Sequence, residues 1–381
     1  MYQKYYKDFL EGHKNKIHLA AHSHHFWPDS AKKGHLEAYE RAQMMSDKKW
    51  DYNFEVLIPD VQNIISKHLN FSRPQDIAFA PNTHELITKL LSAHFFEKKI
   101  KILTSTHEFH SVSRQLKRLQ EEDIFEIDYV DVTSPDDIED LLSHLSSQTY
   151  DFIFISHVFY DSGMVLSEKS IKAIIENKKS AHFILDGYHH YCAIPFDISP
   201  YEDQLFYLSG GYKYAQSGEG MCFMTLPKAC DVRPSITGWF ADFNALENPS
   251  KKVNYSNDGM RFWGSTIDLT PFYRFRAVWR EFEEKQITIS DFHTYIRDLQ
   301  EIFIDKNPLF SDHKVELPNC GHFLCYSFKN TDLVKSAHQL LEQNSIMTDF
   351  RGTTLRFGFA PYLVAEDIEK VKVLLNSLEF K

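Results

Sequence analysis

The stretch His182–Gly220, HFILDGYHHYCAIPFDISPYEDQLFYLSGGYKYAQSGEG, decides how the rest of the chain is read. Its first apolar run, Phe183-Ile184-Leu185, stops at a carboxylate, Asp186. A second run, Leu205-Phe206-Tyr207-Leu208, stops at Ser209-Gly210-Gly211 and delivers Tyr212 and Lys213 into a glycine-flanked loop. Two short buried strands thus each end in one ionisable group. In an open parallel sheet, the loops diverge beyond the carboxyl ends of the strands and leave a crevice for a ligand.

An acid and an amine offered at neighbouring strand ends suit pyridoxal phosphate. That cofactor needs a lysine for its Schiff base and an acid that keeps its ring nitrogen protonated, so that the ring can take up an electron pair. Either residue alone reads as an ordinary loop charge. The signal is the pair, each behind a buried apolar run.

Outward from this stretch the same rhythm continues. Strands are expected at Asp76–Ala80, Ile100–Thr104, Phe125–Val130, Asp151–Ser156, His182–Asp186, Leu205–Leu208 and Met221–Leu226. Helical spacing fills several intervals, at Ser111–Glu121, Asp136–Ser146 and Ser167–Asn177. The alternation predicts an α/β fold, a seven-stranded, mostly parallel sheet with helices on both faces. From about Pro271 a long helical segment leads into a smaller C-terminal α+β unit. Before the sheet, helical spacing runs from Asp29 to about Lys67, with Asp29 or Ser30 as cap and Pro59 as a break.

Other positions at the loop ends add candidates. Asn82, with Glu85 three residues on, opens a helix whose free N–H groups suit a phosphate. Phe109 follows the next strand and could stack on a planar ring. In Leu355-Arg356-Phe357-Gly358-Phe359 the apolar residues share one face. Arg356 lies opposite, with room beside Gly358 for a carboxylate.

Composition sets bounds. The 381 residues carry a net charge of -11, which argues against a nucleic-acid surface. Five cysteines with no CxxC suggest reduced thiols in a cytoplasmic protein. No run suits a signal peptide or a membrane span. His22-Ser23-His24-His25 lacks the spacing of a known zinc motif, so no metal is assigned.

These residues resemble the fold-type I pyridoxal-phosphate enzymes, specifically the class V aminotransferase branch and, within it, kynureninase. The resemblance rests on Asp186-Gly-Tyr-His189, Gly211-Tyr212-Lys213-Tyr214, Gly238-Trp239-Phe240 and Leu355-Arg356-Phe357. It implies Lys213, Asp186 and His189 as catalytic residues, with His189 orienting the Asp186 carboxylate or bonding nearby. It also implies contacts to pyridoxal 5'-phosphate from Asn82, Thr83, Phe109, Ser111, Ser162, Tyr212, Trp239 and Thr266. Arg356, His24 and Trp239 fall at the substrate. A small amino-acid substrate and a homodimer with shared active sites follow. So does a division into an arm at 1–50, a large cofactor-binding domain at 51–272 and a small domain at 273–381.

The chain departs from the kynureninase pattern at His22-Ser23-His24-His25, where Asn-Ser-Leu-Gly is usual. It departs again at Val112, at Ala241-Asp242 and at Ile267-Asp268. These positions shape the substrate pocket more than the cofactor site. The activity the resemblance implies is hydrolytic cleavage of a Cβ–Cγ bond in kynurenine or a related amino acid. The alternatives are an aminotransferase that uses a keto acid and a cofactor-free regulatory homologue. A cysteine desulfurase ranks lower, because none of the five cysteines sits in an evident mobile Gly/Ser-rich loop.

Overall fold

The computed structural model describes residues 1–96, 99–136, 138–243, 250–307, 309–310 and 315–377. Strand β1 (Ile17–His18) belongs to the N-terminal arm. The seven expected strands then form as β2 (Ile77–Ala80), β3 (Ile100–Ser105), β4 (Phe125–Val130), β5 (Phe152–Ser156), β6 (His182–Asp186), β7 (Leu205–Gly210) and β8 (Cys222–Thr225). They make one sheet in the order β2-β8-β7-β6-β5-β3-β4. Only β8 runs against the others, pairing antiparallel with both β2 and β7.

The inner strands β5, β6 and β7 are buried and largely apolar because both faces are covered, whereas the edge strand β4 carries Glu126 and Asp128. Phe183 and Leu185 of β6 join one core and Ile184 the other. In β5, Ile153 and Ile155 face the first core, whereas Phe152 and Phe154 face the second. The expected flanking helices form at His110–Glu121, Glu139–Ser147 and Glu168–Asn177.

Pro59 does not break the chain as expected. Helical structure continues from Lys49 to Leu69 through a π segment at Asn53–Leu57, and Pro59 falls in the first turn of the Ile58–Leu69 helix. Proline has no N–H to give to the preceding turn, and the wider π turn just ahead of it absorbs that loss.

The C-terminal unit carries β9 (Phe323–Ser327), β10 (Ile346–Met347), β11 (Asp349–Arg351) and β12 (Thr354–Gly358). A three-stranded antiparallel sheet runs β11-β12-β9. The arm is stitched to this unit: β1 pairs parallel with β10, and Ala20 bridges to Gly358. A side chain at Gly358 would bring its Cβ to 2.2 Å from His22 Nδ1, so the close approach of arm and strand depends on glycine there. The Asp29–Met45 helix packs on the Thr270–Glu284 helix, where Gly34 lets it approach the Tyr273 carbonyl. No helix among the described residues is long and apolar enough to cross a membrane.

Candidate active site

The carboxyl ends of β2, β5, β6 and β7 meet around a cavity of about 450 Å³. Asp186 closes β6 at its floor, and Lys213 enters from the loop after β7. Asn82 caps the Thr83–Ser92 helix by accepting the Glu85 N–H at 2.9 Å, which aims the first turn of that helix at the cavity. Phe109 and Ser111 line another side. Phe109 is 38% exposed, so its ring is not consumed by the core.

Lys213 sits in a cage of rings. Its Nζ lies 4.8 Å from the Tyr188 centroid, 5.4 Å from Phe109 and 5.6 Å from Tyr212. Burial lowers its pKa to about 7, against the opposing charge of Asp186. Burial likewise raises the Asp186 carboxyl, against the Tyr188 N–H bond at 2.9 Å and the Lys213 charge. The desolvation of both groups outweighs their mutual attraction, and each is driven toward its neutral form.

His189 bonds Lys213 rather than Asp186: His189 Nε2 and Lys213 Nζ are 2.8 Å apart. Burial, then the Lys213 charge, hold the imidazole pKa well below its ordinary value, so it is a neutral partner. The expected role as orienter of the carboxylate therefore passes to the Tyr188 amide.

Several expected contacts lie elsewhere in this chain. Thr266 lines a separate cavity beside His35, Trp50 and Tyr273. Ser162 lines another with His107 and Cys320. Trp239 is 47% exposed and packs on Phe240 and Phe243. His24 is exposed, its ring 6.2 Å from that of Tyr212.

Arg356 is buried and already engaged. Its Nε and Nη2 donate to the two oxygens of Asp349 at 2.8 and 2.6 Å, and Nη1 donates to the Tyr160 carbonyl at 2.6 Å. The histidine cluster diverges: His22 bonds Asp349, His25 Nδ1 bonds the Phe26 carbonyl, and His24 faces solvent. Among the described residues no group of His, Cys, Asp and Glu is placed to hold a metal ion.

Sequence reasoning missed Glu108. Fully enclosed before Phe109, it accepts Ser105 Oγ at 2.7 Å, the Ser156 N–H at 3.1 Å and Ser156 Oγ at 2.6 Å. Burial raises its pKa to about 7. Ser156 is paired with Asp186 across β5 and β6, so Glu108 braces the cavity floor from behind. Tyr188 and Cys222 also line the cavity, with Tyr188 Oη 3.3 Å from Cys222 Sγ. A glutamate directly before Phe109 was the available signal for the first. Nothing marked the other two, which alternation places on strand or turn.

The donor set fits pyridoxal phosphate. A buried carboxylate with one oxygen on a backbone amide needs a cationic N–H, a caged amine offers a nucleophile, and a helix N-terminus opposite suits a phosphate. Fold and site together define a fold-type I pyridoxal-phosphate enzyme. The aminotransferase class V family matches residues 36–295, and the chain belongs to that family. Its cofactor is accordingly pyridoxal 5'-phosphate.

A mitochondrial cysteine desulfurase of Arthroderma benhamiae is 29% identical over 172 residues, covering 43% of this chain. The match takes in 34% of that curated relative, about a third of its length. Among solved structures, a mutant of C-DES with glycine covalently linked to its PLP cofactor superposes with a TM-score of 0.83, 15% identity and full coverage of both chains. The cystine C–S lyase C-DES with its reaction product cysteine persulfide gives 0.82 at 16% identity, covering 97% of this chain and 99% of that one. The apo cysteine desulfurase of Thermococcus onnurineus NA1 gives 0.76 at 16% identity, covering 95% of each. At these identities the structures speak for the fold. None of these relatives supports the kynureninase expectation.

Proposed function

We propose that this class V enzyme cleaves the C–S bond of a sulfur-bearing amino acid by β-elimination and releases the sulfur into solution. The observation that carries this reading is the state of the one cysteine among the described residues that lines the cavity. Burial pushes the Cys222 thiol up to about 12, and Tyr188 is its hydrogen-bond partner. A thiol that stays protonated is a poor acceptor of sulfur. A desulfurase that loads sulfur onto its own cysteine is therefore less well served here than a lyase. A cystine C–S lyase shares the fold over 97% of this chain, so the scaffold accommodates the same choice.

When bound, pyridoxal phosphate supplies the carbonyl that captures the substrate amine and the ring that takes up the electron pair released at Cα. Lys213 would anchor it, Asp186 would hold the proton on its ring nitrogen, the Thr83–Ser92 helix start would face its phosphate and Phe109 would cover its ring. As a free amine Lys213 would serve as the base for the Cα proton, with His189 bonded to its Nζ. Arg356 meets the substrate carboxylate and so fixes which bond at Cα is activated. Trp239 and Thr266, remote from this cavity in their own chain, are assigned to the cavity of a second copy in a homodimer.

The test is product analysis with holoenzyme and no keto acid. Cystine and one water should give pyruvate, ammonia and cysteine persulfide in equal amounts. Anthranilate from kynurenine would restore the hydrolase reading, and turnover that requires a keto acid would make the protein an aminotransferase.

A further inference from the structure

The residue expected to grip the substrate carboxylate already holds one. Asp349 of β11 and Arg356 of β12 are cross-strand partners, in register in the hairpin. The pairing brings the carboxylate onto the Nε–Nη2 edge of the guanidinium at 2.8 and 2.6 Å. The remaining Nη2 proton reaches Ser23 Oγ at 3.3 Å, and one Nη1 proton is given to the Tyr160 carbonyl. A guanidinium has five N–H groups and grips a carboxylate through two parallel ones. Four of the five are in use.

Asp349 is held there by more than Arg356. His22 Nε2 lies 3.0 Å from Oδ1, Ser23 Oγ donates a short bond to Oδ2, and Arg351 stands 3.7 Å away. Burial pushes the Asp349 carboxyl up, but the hydrogen bonds from His22 and Arg356 and the Arg356 charge outweigh it and keep the group ionised far below the usual range. Burial keeps His22 neutral, with a pKa lowered to about 4, so it acts as a donor and adds no charge. His22 and Ser23 belong to the arm segment that departs from the kynureninase pattern. Their place in the structure is this clamp.

We propose that Asp349 is a built-in competitor for the substrate carboxylate: it occupies and neutralises Arg356, and so sets how strongly the site prefers an amino acid with a free α-carboxylate over one whose carboxylate is masked. The inference rests on the reading of Arg356 as the residue that meets the substrate. It is independent of which bond is later cleaved. With the pair closed, an incoming carboxylate finds one free N–H on a guanidinium whose charge Asp349 balances, and it must displace Tyr160, Ser23 or Asp349 to be held by two.

The experiment compares L-alanine with L-alaninamide, titrated against the absorbance of the holoenzyme chromophore. Alanine has no leaving group at Cβ, so the titration reads binding whether or not the lyase assignment holds. The native protein should favour alanine over the amide by less than about threefold. Asp349→Asn should raise that preference at least tenfold, and Asp349→Asn with Arg356→Gln should return it to the native value. Ser23→Ala, which cuts one tether and leaves the charge, should raise it by a smaller factor and serves if Asp349→Asn fails to fold. An unchanged or reduced preference in Asp349→Asn or Ser23→Ala would overturn the proposal and make Asp349 a brace that presents Arg356 to the substrate.

Discussion

The state of Lys213 can be tested directly by its reactivity. Only the neutral amine attacks a carbonyl, so its rate follows the deprotonated fraction. At the ordinary value of 10.5, roughly one lysine in three thousand is neutral at pH 7. With burial lowering the pKa to about 7, about half are neutral, a gain of roughly a thousandfold. The assay is to strip the cofactor, pulse with pyridoxal phosphate at a series of pH values, trap with borohydride and quantify the Lys213 peptide. Its labelling rate should rise from pH 6, pass its midpoint near 7 and level above about pH 8, while surface lysines are still rising at pH 10. Because the Asp186 charge is the largest influence opposing burial, Asp186→Asn should move the midpoint to lower pH. A Lys213 midpoint near 10, or an upward shift in Asp186→Asn, would refute the claim that desolvation governs this amine.

Asp186→Ala should retain cofactor on Lys213 but lose at least about a hundredfold in turnover, because the proton on the ring nitrogen loses its counter-charge; a near-native rate would make Asp186 a structural residue. After repeated turnover with cysteine, intact-protein and peptide mass spectra should show no extra sulfur on Cys222, whereas a persulfide there would favour the desulfurase reading. Gly34→Ala sets two effects against each other: alanine gains about 1 kcal/mol in helix propensity, but its Cβ would lie 2.3 Å from the Tyr273 carbonyl oxygen. Overpacking of this kind costs about 1–3 kcal/mol, so a lowered melting temperature is expected and a raised one would contradict the packing. Trp239→Asp should weaken a dimer measured by sedimentation and lower turnover with it; a fully active monomer would remove the shared-site assignment.

The centre of the large sheet was legible because burial on both faces leaves little room for polar residues within β5, β6 and β7. Phe183-Ile184-Leu185 and Leu205 to Leu208 read as strands without any knowledge of their neighbours, and both formed. The π segment at Asn53–Leu57 was not legible, because Pro59 signals only that a regular turn fails there and leaves open whether the chain stops or widens. Strand order was equally hidden. That β8 inserts antiparallel between β2 and β7 depends on which edges are free once the parallel strands are packed, a property of the whole sheet.

Four of the residues expected at the cofactor could be brought together from local elements, whereas the arrangement around Arg356 could not. Asp186, Lys213, Asn82 and Phe109 each sit at the end of one local element, and the sheet brings those ends together whatever the loops contain. The clamp proposed for the substrate carboxylate is assembled from Ser23, Tyr160, Asp349 and Arg356, which come from the arm, a loop after β5 and a hairpin of the small unit. Spacing could single out Arg356, but the carboxylate opposite it is visible only once β11 and β12 are in register. Two of the four motifs that suggested a kynureninase, Asp186-Gly-Tyr-His189 and Gly211-Tyr212-Lys213-Tyr214, lie where the cofactor would be held, and holding the cofactor does not depend on the group that departs from Cβ. Specificity in this chain therefore has to be sought where it departs from that pattern, and His22-Ser23, the first such departure, leads straight to the Asp349 clamp.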